Sequence, residues 1–388
     1  MKTGENTMKT KRNKSRGKWG QHLLMVFMMA IGGVCGIYIA KYMDNITESN
    51  KSIGEIYFSL ALLFVGVYVA ALLQIIIHEA GHLLFGRMTG YQFSSFRIGS
   101  FLWIKENGAY RLRRLTLAGT GGQCLMAPPE MINGRFPYVL YNMGGSINNF
   151  LSVVLFAGAA FLAKDIPIVT TFFMILAVIG VVVGLMNGIP MRLKEVNNDG
   201  YNAITLGKDT AALRAFWIQL KCSELSIKGV RIKDMPEEWF EMPSMEAMKN
   251  SMIAFLGVFA CSRMMEQREF EKAEQTMREL LQGDTGLVGL HRSLMNTELI
   301  YCELVGENRS ETLADLLSKQ QKKFMKAMKN FPSVQRTEYA YALIAEKDTL
   351  KAQKIKIAFE KTAKTYPHTG DIANEWELME YAERCQNV

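Results

Sequence analysis

Cysteine is sparse and scattered in this chain of 388 residues: Cys35, Cys124, Cys222, Cys261, Cys302 and Cys385 are its six, with no Cys-x-x-Cys among them. That spacing excludes both a disulfide framework and a thiolate zinc site. Histidine is scarcer, five in all, so any imidazole site draws on very few residues. No nucleic-acid motif is present, and no basic stripe interleaved with aromatics, although the net charge is +8. The excess positive charge is instead crowded into Lys9, Lys11, Arg12, Lys14, Arg16 and Lys18, just before the first apolar run. Such a cluster reads as a topology signal and a contact for anionic lipid headgroups. The expected partner is a lipid bilayer, not nucleic acid.

Apolar residues make up 49% of the chain and charged residues 21%, but the average hides two unlike parts. Residues 21–200 are dominated by long apolar runs, whereas residues 201–388 read as a charged, soluble, helical chain. The fold class expected is mainly α: a polytopic membrane bundle of about four spans, then a soluble helical domain. The spans are expected near 22–39, 56–85, 138–163 and 166–189, each long enough to cross a bilayer at about 1.5 Å per residue. The basic tail 1–20 is expected to be disordered. A cleaved signal peptide is the rival reading of 22–39, but that apolar run is long for one. Basic residues cluster on one side of these runs, so the positive-inside rule places both termini in the cytoplasm.

Residues 91–127 break the helical pattern. They alternate, are punctuated by glycine, and carry the turn Glu106-Asn107-Gly108, which reads as a hairpin or small sheet. Beyond residue 200, Phe270, Ala273, Met277 and Leu280 recur at helical spacing. So do Leu313, Leu317, Phe324 and Met328, and Ala352, Ile355, Phe359 and Ala363. Breaks near Gly283, Gly306, Pro332 and Gly370 divide this part into helical hairpins, in an array that could be tetratricopeptide-like.

One stretch carries chemistry. His78-Glu79-Ala80-Gly81-His82 lies inside an apolar run with no other charge from Ile56 to Gly86. On a helix His78 and His82 project from one face, one turn apart, which suits two nitrogen ligands on one zinc ion. Glu79 is turned about 100° away, able to reach a zinc-bound water without being a ligand. The competing reading is a pair of hydrogen-bonded core histidines, but ionisable groups inside a membrane default to function. A catalytic zinc site needs a third protein ligand, and no other histidine lies in the later spans. Asp199, just past the fourth span, is the best carboxylate, although it could equally cap a helix starting near Tyr201. Glu195 is the reserve, and Asp165 is expected on the wrong side.

With these residues in place the chain resembles the site-2 protease family of intramembrane zinc metalloproteases, over roughly residues 56–206. His78-Glu79-Ala80-Gly81-His82 resembles the family's first motif. Phe96-x-Ile98-Gly99 with Gly121-Gly122 is similar to its membrane-associated β region, so the resemblance implies that 91–127 forms a small membrane-associated β region. Gly145-Ser146-Ile147-Asn148-Asn149-Phe150 resembles its Gly-Pro-x-x-Asn-Phe element, with Ser146 in place of the proline. Asn187-Gly188-Ile189-Pro190 and Asp199-Gly200 resemble its Asn-x-x-Pro…Asp-Gly motif, with a longer spacing here.

The resemblance implies that His78, His82 and Asp199 bind one Zn2+ and that Glu79 is general base and acid. It also implies that Asn149 and Asn187 are polar helpers near the metal, as oxyanion donors. The substrate implied is a membrane-anchored protein or peptide, cleaved after local unwinding near the cytoplasmic face of a bacterial plasma membrane. An extended substrate could pair with an edge of the 91–127 sheet. The 201–388 domain would be a platform for a protein partner or a solubilising appendage. The alternative is a catalytically silent membrane scaffold, which predicts a decayed motif; a transporter would require repeats and paired broken helices that the chain lacks.

Overall fold

The structure, a computed structural model, describes residues 33, 52–106, 108–115, 121–191 and 197–386. The basic tail, the run 22–39 apart from residue 33, and the loop residues Arg192, Lys194 and Glu195 lie outside the described residues. Three described helices are long and apolar enough to cross a membrane, and they mark the chain as a membrane protein: α1 (Ile53–Met88), α2 (Val139–Leu162) and α3 (Pro167–Gly188). They match the expected runs 56–85, 138–163 and 166–189 to within three residues. The expected first span falls on residues that are not described.

α1 has 36 residues, about 54 Å of helix, so it exceeds the thickness of a bilayer's hydrocarbon core. Its apolar residues point in all directions, as a helix surrounded by lipid and protein requires. Between α1 and α2 the chain forms a four-stranded antiparallel sheet, in the order β3-β2-β1-β4. The strands are β1 (Gln92–Ile98), β2 (Phe101–Glu106), β3 (Ala109–Arg114) and β4 (Gly122–Ala127). β2 and β3 pair directly, with Glu106 opposite Ala109; Asn107 of the expected turn Glu106-Asn107-Gly108 lies outside the described residues. β3 is an edge strand with mostly exposed side chains, and three of its six residues are arginines, a composition that discourages unwanted pairing.

The rest is helical: α4 (Asp199–Thr205), α5 (Thr210–Ile227), α6 (Ser251–Glu266), α7 (Phe270–Gln282), α8 (Gly289–Val305), α9 (Ser310–Leu316), α10 (Lys319–Ala327), α11 (Pro332–Ala340), α12 (Thr349–Ala363) and α13 (Thr369–Gln386). The chain is thus mainly helical, with one small sheet. Ala273, Met277 and Leu280 are buried along α7, and Ala352 and Phe359 along α12, as their spacing predicts. The face expected from Leu313 to Met328 is instead divided between two short helices. Ser318 causes the break: its side chain accepts from the Gln321 N–H and starts α10 as an N-cap. Gly283 and Gly306 end α7 and α8, Pro332 opens α11, and Gly370 sits in the first turn of α13, just after the break that follows Ala363.

Two compact units are distinguished. One holds the chain up to His78 together with Gly145–Met186. The other holds Glu79–Gly144 and Asn187–Val388. The division falls within two unbroken helices, α1 after His78 and α2 after Gly144.

Candidate metal centre

α1 carries Gln74, His78 and His82 at successive four-residue steps, so the three side chains share one face. Gln74 is fully enclosed, and His78, Glu79 and His82 are each less than one-tenth exposed. Polar groups at such depth need defined partners, and each histidine has one at Nδ1. His82 Nδ1 lies 2.7 Å from the Tyr141 carbonyl oxygen. A carbonyl only accepts, so Nδ1 carries the proton and Nε2 the lone pair.

His78 Nδ1 lies 2.7 Å from Asn149 Oδ1. The orientation of that carboxamide follows from its other end, where Asn149 Nδ2 donates to the Gln74 carbonyl at 3.0 Å and to Gln74 Oε1 at 2.8 Å. Asn149 therefore presents oxygen to His78, whose Nδ1 is likewise the donor. Gln74 is held in turn through Nε2, which donates to the Leu176 carbonyl at 2.9 Å and to Ser152 Oγ at 3.1 Å. A chain of hydrogen bonds thus runs from α3 through Gln74 and Asn149 to the first histidine. Both imidazoles are set in the tautomer that coordinates a metal through Nε2.

Asp199 opens α4. The cap of that helix is Asn198, not Asp199: Asn198 Oδ1 accepts from Tyr201 N–H at 3.0 Å and from Met191 N–H at 2.9 Å. Its Nδ2 donates to the Ile189 carbonyl at 2.6 Å. Asn198, directly before Asp199, is thus tied both to the first turn of α4 and to the chain at Ile189 and Met191. Relieved of capping, the Asp199 carboxylate turns to the histidines, with Oδ2 3.3 Å from His82 Nε2. Ligand atoms of His78, His82 and Asp199 all lie within 4.8 Å of one another. Neighbouring ligand atoms of a tetrahedral zinc site stand about 3.3 Å apart, so two imidazoles and a carboxylate at this spacing fit a zinc ion after small side-chain adjustments.

Glu79 faces β4. A Cβ at Gly122 would fall 2.5 Å from Glu79 Oε1 and 2.7 Å from its Cγ, so only glycine allows the strand to lie against the carboxylate. Gly145 plays the same part for His78, whose ring occupies the space a Cβ there would need. Arg97, wholly buried on β1, donates to the Gly99 carbonyl at 2.6 Å and to the Gly122 carbonyl at 3.2 Å. Burial pushes its guanidinium below the ordinary arginine range, and the negative charge of Glu79 pulls it back up.

Among the residues singled out in the sequence, His78, His82 and Asp199 come together and Glu79 lies one step along the same helix. Asn149 meets His78 through Oδ1, while both its N–H bonds go to Gln74 and not toward the space beside the histidines. Asn187 stands half-buried in the last turn of α3, where its carbonyl oxygen packs on Gly200. Gln74, Tyr141, Asn198 and Arg97 were not singled out. Gln74 could have been, since it is polar, lies in an apolar run and precedes His78 by four. Comparison with family models, with curated proteins and with solved structures found no match.

Proposed function

We propose that the protein is a zinc-dependent intramembrane endopeptidase of the site-2 protease type. It hydrolyses peptide bonds of membrane-embedded or membrane-proximal substrates near the cytoplasmic face of a bacterial plasma membrane, with both termini cytoplasmic. One observation carries this reading: two buried imidazoles with Nδ1 anchored, and a carboxylate released from capping, cluster beside a buried glutamate that is not one of them.

His78, His82 and Asp199 would hold one Zn2+. The bound metal supplies Lewis acidity, making a water nucleophilic at neutral pH and polarising the scissile carbonyl. Asn149 and the Tyr141 carbonyl keep the imidazoles oriented and raise their basicity. Glu79 accepts the proton of the attacking water and delivers it to the leaving amine nitrogen. Its place against Gly122 limits the directions from which its carboxylate can approach the scissile bond. A helical substrate must first unwind, because its peptide carbonyls are already hydrogen-bonded, and an edge of the four-stranded sheet can take up the extended segment. The C-terminal helices would serve as a docking platform for substrate or partner, arranged as a tetratricopeptide-like array.

The test compares wild type with Glu79→Gln, purified as full chains in detergent, for zinc content and for cleavage of a model transmembrane peptide. Wild type should hold about one zinc per chain and cut, while Glu79→Gln keeps the metal and loses cleavage by about a thousandfold or more. Absence of zinc from the wild-type protein would overturn the assignment.

A further inference from the structure

The last turn of α1 carries Arg87, the first cation after the long apolar stretch that begins at Ile56. Where a spanning helix first carries a cation, it meets the phosphate layer of the bilayer. Arg87 also lines an open cavity of about 580 Å3 bordered by the end of α1, the β1, β2 and β4 strands and the C-terminal end of α5. Lys105 on β2 and Lys228 after α5 line it too, with Glu224, Gln92 and Phe93.

The charges are unequal. Glu224 is the one carboxylate among these residues and is already neutralised, with Lys228 at 2.5 Å and Lys221 at 3.5 Å. Arg87 and Lys105 have exposed side chains, and no carboxylate lies within ion-pair distance of either among the described residues. The cavity therefore presents two uncompensated cations, an amide from Gln92 and an aromatic wall from Phe93, at the end of a membrane span. Lysine and arginine at this level attract anionic headgroups, each contributing appreciably near the surface. The aromatic wall suits a group with an apolar continuation, and a small soluble anion has none.

We infer that this cavity binds the phosphodiester headgroup of an anionic phospholipid, held by Arg87 and Lys105. The site lies apart from the histidine cluster and stands independently of the protease reading. A lipid so held would tie the end of α1, which carries the histidine motif, to the sheet and to the first long helix of the C-terminal part.

The experiment titrates the full chain in detergent with dihexanoyl phosphatidylglycerol, dihexanoyl phosphatidylcholine and inorganic phosphate, for wild type and for Arg87→Gln/Lys105→Gln. Wild type should bind phosphatidylglycerol at one saturable site, and the double variant should bind it about tenfold more weakly or worse. Phosphatidylcholine should bind wild type weakly, and inorganic phosphate should not displace the lipid at equal concentration. Equal phosphatidylglycerol binding by the two proteins refutes the site. Equal binding of phosphatidylcholine by wild type refutes the charge argument, and displacement by inorganic phosphate makes it a site for soluble anions. Should the double variant unfold, Lys105→Glu alone, at an exposed strand position, must still weaken phosphatidylglycerol binding; otherwise the inference fails.

Discussion

In the C-terminal helices Arg336 is wholly enclosed, yet it meets Glu298 at 2.6 Å and Glu375 at 2.8 Å, with its guanidinium 4.1 Å from the centre of the Tyr301 ring. Nearby Arg231 meets Glu266 at 2.5 Å and Glu377 at 2.6 Å. Around α1 the buried groups are of another kind. Imidazoles are hydrogen-bonded to a carboxamide and to a backbone carbonyl, and a carboxylate faces a histidine. Opposite charges in the first region compensate one another directly, which is what burial demands of structural ions. In the second region neutral groups support the two imidazoles, and the candidate ligand atoms lie close together. Burial alone therefore does not identify a functional group. The distinguishing feature is whether the partners neutralise a group or orient it.

The sharpest test of that distinction sets two substitutions side by side. Glu79→Gln should leave the fold intact and, on the proposed reading, lower peptide hydrolysis by about a thousandfold or more. Arg336→Ala should do the reverse, destabilising the C-terminal helices by about 3–5 kcal/mol because it strands two carboxylates in the core. Denaturant titration of both proteins, alongside their cleavage rates, checks the pair. If Glu79→Gln proves as destabilising as Arg336→Ala, Glu79 is a structural ion and the contrast between the regions collapses.

Two smaller effects sharpen the same contrast. Gly122→Ala introduces a methyl group into the space of the Glu79 carboxylate, and a displaced base by about 1 Å is expected to lower cleavage by about a hundredfold with zinc retained. Retained zinc with an unchanged rate would show that Glu79 has room to move. Asn149→Ala frees the His78 ring and should weaken zinc binding about 10–100-fold, measured by competition with a chelator. Undiminished affinity would remove Asn149 from the positioning role that its contacts assign to it.

The legible part of this molecule was what hydrophobic length and short spacing encode. The span limits near 56–85, 138–163 and 166–189 follow from unbroken apolar runs, and the sheet from the glycine-punctuated alternation over 91–127. The candidate ligand carboxylate could be narrowed to Asp199 because so few ionisable residues occur near the spans. What stayed hidden depends on groups that leave no mark on side-chain pattern. The Tyr141 carbonyl that orients His82 belongs to the backbone, so any residue could supply it. The choice of Asn198 over Asp199 as cap is decided by a loop whose ends it ties at Ile189 and Met191, a contact between positions the spacing does not relate. The division of Leu313–Met328 into two helices turns on Ser318, a residue equally at home as a cap or on an exposed helical face.

The smallest expected effect concerns the C-terminal helices, where compensation is incomplete. Asp371, half-buried in the first turn of α13, is raised from an ordinary 3.8 to about 7, first by burial and then by the charges of Glu375 and Glu266. Its neighbour His368 is lowered from 6.5 to about 4, also by burial. The signs oppose. Protonated Asp371 favours the folded state, so its contribution is complete below about pH 4 and is lost as the pH rises to about 7. Neutral His368 favours the folded state, so its contribution grows as the pH rises from about 4 to 6.5. Across that interval the two slopes offset, and the fall due to Asp371 emerges alone only near neutrality. Asp371 is only half-buried, so solvent screening keeps the effect well below that of a sealed core group. Asp371→Asn should abolish the falling limb, leaving a melting temperature that rises from pH 4 to 6.5 and then levels, about 2–3 °C above wild type at pH 8. A variant whose melting temperature tracks wild type across this range would mean that Asp371 is ionised throughout, and that the C-terminal helices neutralise it as completely as they do Glu298.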